Sequence, residues 1–149
     1  GVYVLLTALL SEFKLLPTEN LIKGSEKLYL KNALSFDKLE QIVVANYDMS
    51  KNTTMVFVSI RRTPEEAQTL AGDYYKFLIN LGGDKSDPGE SKVPGLKMVD
   101  LLGDSELVFA EGNILAGIHQ AKTPAVGKRL AEILYEKLSQ SKHGPIDVR

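Results

Sequence analysis

The sequence predicts an α+β fold: an antiparallel sheet built from two strand-strand-helix units, both helices packed on one face, with an N-terminal helical segment. Three observations carry this. Residues 43–81 and 105–140 each read as an apolar strand, a polar turn, a second apolar strand and a helix opened by Thr-Pro. Thr63-Pro64 and Thr123-Pro124 stand 60 positions apart, at equivalent places in the two units. Each helix carries one apolar stripe that needs an apolar sheet face to cover it.

The chain opens on a dense apolar run, Val2 to Leu10, continued to Leu16 with Ser11, Glu12 and Lys14 interposed. Density on every side predicts a helix buried over most of its surface, or a strand leading into one. The run falls far short of the roughly 20 residues that cross a bilayer, so it predicts no membrane span. Left uncovered, it would be an interface, and a homodimer through Val2–Leu10 is the expectation. A chain beginning Gly1 rather than Met points to loss of an export signal or an upstream region.

Pro17 closes the first segment, and Ser25 is placed to cap a short helix from Glu26 to Leu30. Residues 32–40 carry no clear period. Ile42 to Ala45 and Thr54 to Ile60 are β-branched runs flanking Asp48–Asn52, hence a hairpin. Thr63 then starts a helix, with Pro64 at its first position and Glu66 completing an S/T-x-x-E box. Its stripe is Ala67, Leu70, Ala71, Tyr74, Phe77, Leu78 and Leu81, and Gly82-Gly83 stops it. Residues 82–95 read as a polar loop.

The second unit, residues 96–140, opens with a short strand in 96–102. A hairpin follows, with arms Leu107–Ala110 and Ile114–Ala121 joined through Glu111-Gly112-Asn113. A closing helix has the stripe Val126, Leu130, Ile133, Leu134 and Leu138. The whole of 1–149 is expected to be one domain, by length and by a composition of 44% hydrophobic and 25% charged residues.

Composition excludes several functions. A net charge of −1 leaves no footprint for nucleic acid. Without cysteine there is no thiolate catalysis and no cysteine-ligated metal. Asp84, Asp87 and Glu90 gather oxygen donors, but not in the EF-hand order. Gly82-Gly83-Asp84-Lys85 follows a helix, where a phosphate-binding loop would precede one. No nucleophile elbow, paired-histidine zinc motif or dinucleotide fingerprint occurs, so we expect no cofactor, no metal and no catalytic residue. Tyr74-Tyr75 and Tyr135 read as aromatics of the core and its edge. His119, within the second hairpin, is the one in-sheet residue able to act as base or ligand. His143, in the tail, is bland.

Leu15-Leu16-Pro17, the stretch Ile22 to Leu30, Thr63-Pro64-Glu65-Glu66-Ala67 and the stretch Leu107 to Ala121 around Gly112 and Gly117 carry a resemblance. With them the chain resembles the C-terminal part of an uncharacterised bacterial family, a domain of unknown function often found in exported proteins. The resemblance implies an extracytoplasmic location and marks Gly24, Ser25, Glu26 and Tyr29 as a structural or binding motif. It implies no reaction.

The expected function is therefore a non-catalytic binding or interaction module with an unknown ligand or protein partner. Its binding residues are drawn from Gly24, Ser25, Glu26, Tyr29 and His119, using the open sheet face or a groove beside residues 24–29. The alternative is a small hydrolase or transferase with Glu26, Tyr29 and His119 in one pocket, closed by the 82–95 loop.

Overall fold

The structure, a computed structural model, describes residues 11–141. Seven strands form one antiparallel sheet: β1 (Lys27–Tyr29), β2 (Ile42–Met49), β3 (Asn52–Ile60), β4 (Asp84–Ser86), β5 (Lys97–Leu101), β6 (Asp104–Glu111) and β7 (Ile114–Ala121). Their order across the sheet is β1-β2-β3-β7-β6-β5-β4. Helix α1 (Pro64–Asn80) follows β3, and helix α2 (Pro124–Ser141) follows β7. The α+β class and the antiparallel sheet are as expected.

Turn chemistry fixes the hairpins. Between β2 and β3 only Ser50 and Lys51 remain outside the strands, at φ 52° and 71°. Two consecutive left-handed residues make the tight turn whose twist matches the flanking strands. Leu102 and Gly103 repeat the device between β5 and β6, at φ 52° and 85°. Both helices start at a threonine cap. The Glu66 N–H donates to Thr63 Oγ1 at 3.0 Å, and the Val126 N–H to Thr123 Oγ1 at 3.1 Å. The other half of the expected capping box is absent: Glu66 accepts instead from the Arg61 guanidinium at 2.9 and 3.0 Å.

The helices do not share a face. Leu70, Ala71, Tyr74 and Leu78 of α1 pack with Ile42, Val44, Phe57, Val99, Val108 and Leu115. Leu130, Ala131, Leu134 and Leu138 of α2 pack with the alternate residues of the same strands, among them Val43, Ala45, Val56, Val58, Leu107 and Phe109. Consecutive strand residues point to opposite sides, so α1 covers one face and α2 the other. This corrects the single-face expectation. The physical reason lies in the strands: Val43-Val44-Ala45 and Val56-Phe57-Val58 are apolar without alternation, the pattern of strands buried on both sides. Each such buried valine or phenylalanine side chain contributes about 1.5–3 kcal/mol.

Three local expectations also change. Lys27–Tyr29 form an edge strand, β1, where a helix from Glu26 to Leu30 capped by Ser25 was expected. The 82–95 loop contains β4, which pairs with β5 at the opposite edge of the sheet. Leu81, expected in the α1 stripe, is 56% exposed beyond the last helical residue. Of the apolar N-terminal segment, residues 11–13 are helical and Leu15 and Leu16 are buried on the α2 side. Val2–Leu10, and with it the expected homodimer contact, lies outside the described residues, as does His143.

Glu12 closes the end of the α2 face. Its side chain is buried, and one carboxylate oxygen accepts from the Ile60 N–H at 3.2 Å while the other has no partner. Burial pushes its carboxyl up to about 7, against the opposing pull of the Ile60 N–H and the Arg61 charge. A carboxyl raised in the folded state contributes stability that is fully present below its unfolded value, near 4.5, and is lost as pH rises through about 7. Glu12→Gln is therefore expected to match the parent at pH 4.5 and to exceed it by about 2 kcal/mol at pH 8. Urea unfolding across that range checks it; a difference that stays flat with pH refutes the assignment.

Candidate functional site

The segment Gly24–Glu26 lies where the edge of the sheet is interrupted. Ile22 donates its N–H to the Asn46 carbonyl at 2.9 Å, and regular pairing resumes only at Lys27 opposite Val44. Between them Gly24 adopts φ +83°, a backbone state that glycine enters without steric cost. The Asn46 N–H, which would otherwise lose its ladder partner, donates to Ser25 Oγ at 2.9 Å. Ser25 Oγ in turn donates to the Ile22 carbonyl at 2.6 Å. Ser25 thus repairs the ladder, and Gly24 makes the turn that permits it.

That turn shapes a groove. Phe13, Lys14, Leu16, Thr18, Leu21, Lys23, Gly24, Glu26 and Lys137 line a depression of about 820 Å³ between the 13–26 segment and the C-terminal half of α2. Leu16 is buried and Phe13 and Leu21 are half-buried, so the floor is apolar. Lys14, Lys23 and Glu26 are exposed on the rim, and Lys137 is half-buried. Beneath it Tyr47 donates its hydroxyl to the Pro17 carbonyl at 2.6 Å. Its phenol is held well above the ordinary range, first by burial and then by the negative charge of Glu26. A smaller depression of about 350 Å³, lined in part by Asn20, Asp48 and Arg129, sits near the other end of α2.

Tyr29 and His119 belong elsewhere. Tyr29 pairs with Ile42 and so points to the α1 face, 37% exposed. His119 pairs with Met55 and shares the α1 face with Leu115. β1 and β7 are separated by β2 and β3, which places their backbones about 14 Å apart across three strand spacings. Glu26 faces the α2 side. Glu26, Tyr29 and His119 therefore do not form one pocket, and the 82–95 segment, at the far edge, does not close over Glu26 or Tyr29.

His119 has a partner that the sequence did not announce. Two residues of β7, His119 and Gln120, stand opposite the single residue Glu106 of β6, a β-bulge with Gln120 at φ 59°. Glu106 is 2% exposed. One oxygen lies 2.7 Å from His119 Nδ1 and the other accepts the Gln120 N–H at 2.9 Å. The Tyr74 phenol faces the same carboxylate and is raised by burial first and by the Glu106 charge second. Holding Nδ1 fixes the imidazole and directs Nε2 away from the pair. The one available signal was an acidic residue at the inward phase of a strand, Glu106 alternating with the apolar Val108.

No protein-family model, curated protein or solved structure matches this chain.

Among the described residues no three histidine or acidic side chains converge as a metal site, and no helix is long and apolar enough to cross a membrane. Asp84 lies in the edge strand β4, and Asp87 accepts the Gly89 N–H at 2.8 Å within its own turn. Tyr75 lies beneath Lys97 Nζ at 5.0 Å, and Tyr135 meets Phe109 edge-on at 6.3 Å. These aromatics serve the core and its margin.

Proposed function

We propose that the chain is a non-catalytic binding module whose ligand enters the groove beside Gly24 and Glu26. The observation that carries this reading is the groove itself, of a volume that suits a small molecule, with an apolar floor and a few polar groups at its rim. The sheet offers no comparable open face, because α1 and α2 cover its two sides. Within this reading Gly24 and Ser25 shape the groove, Glu26 borders it, and Tyr29 and His119 take no part. The resemblance to exported bacterial proteins favours an extracytoplasmic ligand.

A neutral hydrophobic dye such as Nile red is expected to bind once per chain. Leu21→Trp, which fills the floor, should abolish the signal, while Tyr29→Ala, on the other face, should leave it unchanged. Equal binding by the parent and Leu21→Trp, with both folded by circular dichroism, would exclude the groove as the site.

An internal duplication is a second reading, supported by the sheet register. Shifting the pairs Met55–His119 and Ser59–Leu115 by 60 residues exchanges one for the other about the pair Phe57–Gly117. The buried helix positions Leu70, Ala71, Tyr74 and Leu78 likewise fall 60 before Leu130, Ala131, Leu134 and Leu138. A two-fold axis through the sheet would keep both helices on one face. In this reading the second copy departs from that symmetry at the Gln120 bulge.

A further inference from the structure

We propose that the groove selects a single-chain amphiphile with an anionic head group, free in solution; this rests on the binding-module reading and adds the ligand's chemistry. Three features of the groove point the same way. The floor of Phe13, Leu16 and Leu21 offers a continuous apolar surface and few hydrogen-bonding groups, which suits an alkyl chain and disfavours a polyhydroxylated ligand. A volume of about 820 Å³ accommodates a chain of ten or so carbons with its head at the rim.

The rim holds Lys14, Lys23 and Lys137 against the single carboxylate of Glu26, a local excess of positive charge on a chain whose net charge is −1. Among the described residues two lysines pair with acids, Lys38 with Asp73 and Lys122 with Asp104. Among the described residues none of the three rim lysines makes an ion pair. Unpaired ammonium groups beside an apolar floor attract and orient an anionic head, while their methylene stems extend the apolar wall. A membrane surface is the poorer partner, because a chain of net charge −1 has no overall electrostatic attraction to anionic lipid.

The test is a titration of the isotopically labelled protein, followed by amide chemical shifts, with sodium decanoate below its micelle concentration. Decanol, acetate and anionic phospholipid vesicles are run beside it. Decanoate should shift amides of Leu16, Leu21 and Lys137 at least tenfold more tightly than decanol, and acetate should shift none. The triple variant Lys14→Met, Lys23→Met, Lys137→Met, which keeps the apolar stems, should lose that tenfold preference and retain decanol binding. Equal affinity for decanoate and decanol in the parent overturns the anionic selectivity and leaves the groove reading standing. Failure of both chains to bind overturns the two together. Binding to vesicles alone, with none to free decanoate, overturns the amphiphile in favour of a membrane surface.

Discussion

Replacing Gly117 by alanine is expected to cost about 3 kcal/mol, the upper part of the range for forcing extra volume into a close-packed core. Gly117 lies in the middle of β7, opposite Phe57 on β3 and Val108 on β6. A β-carbon there would run into the Phe57 ring and come within 2.5 Å of the Leu107 carbonyl oxygen. Neither neighbour retreats easily. The Phe57 ring packs edge-on against Tyr74 at 5.6 Å, and Tyr74 is fixed between the sheet and Phe36. The Leu107 carbonyl belongs to the backbone of β6. For a chain of this length the loss corresponds to a Tm fall of about 10 °C. Combining Gly117→Ala with Phe57→Leu should recover part of it, since the two positions share one contact. A Gly117→Ala cost below about 1 kcal/mol would show that the ring moves aside and that the close packing at this strand pair is not specific.

The same position shows how far the sequence could be read. Thr63-Pro64 and Thr123-Pro124 announced both helices because a cap is local chemistry, settled by a hydroxyl and the N–H groups within one turn. The hairpins were legible for a similar reason. What the sequence left open was the side on which each helix lands. That choice depends on the strands, and the unalternating run Val56-Phe57-Val58 was the available sign that both faces would be buried. The bulge at Gln120 is equally non-local, because it exists only in relation to Glu106 on the neighbouring strand.

The candidate site divides the same way. Gly24, Ser25 and Glu26 fall beside the groove, yet for a reason that a helix cap did not capture. Ser25 satisfies a strand N–H from Asn46, which is 21 residues away. Tyr29 sits one strand residue beyond Leu28, and the alternation of a strand sends the two to opposite faces. Grouping Tyr29 with Glu26 rested on the family resemblance, which carries no information on which face a residue takes. Glu12 and Glu106 are the two buried acids among the described residues; Glu12 interrupts an apolar run, and Glu106 stands at the inward phase of a strand. Their partners, the Ile60 N–H and His119, are brought to them by the sheet.

Glu106→Ala is expected to cost about 3 kcal/mol, comparable to Gly117→Ala but by a different route. The carboxylate is 2% exposed and serves several polar groups at once: His119 Nδ1, the bulge N–H of Gln120 and the facing Tyr74 phenol. Removing it leaves those groups without their acceptor, the Tyr74 phenol fully buried and His119 half-buried. The penalty is the desolvation of each orphan, larger than the net worth of the bonds themselves. Glu106→Gln keeps the shape and one acceptor oxygen, so it should recover roughly half of the loss.

The location of the damage distinguishes this from a simple cavity. Amide exchange at Gln120 should accelerate in Glu106→Ala far more than at Ile118, which remains in the regular ladder with Leu107. The His119 ring should lose its fixed tautomer, visible as a change in its nitrogen chemical shifts. Uniform acceleration along β7 would mean that Glu106 stabilises the sheet generally and does not hold the bulge. In the expected outcome Glu106 maintains an irregularity, the bulge, that places the start of α2 two residues beyond β7, with Gly127 close against Leu107 and Ala121.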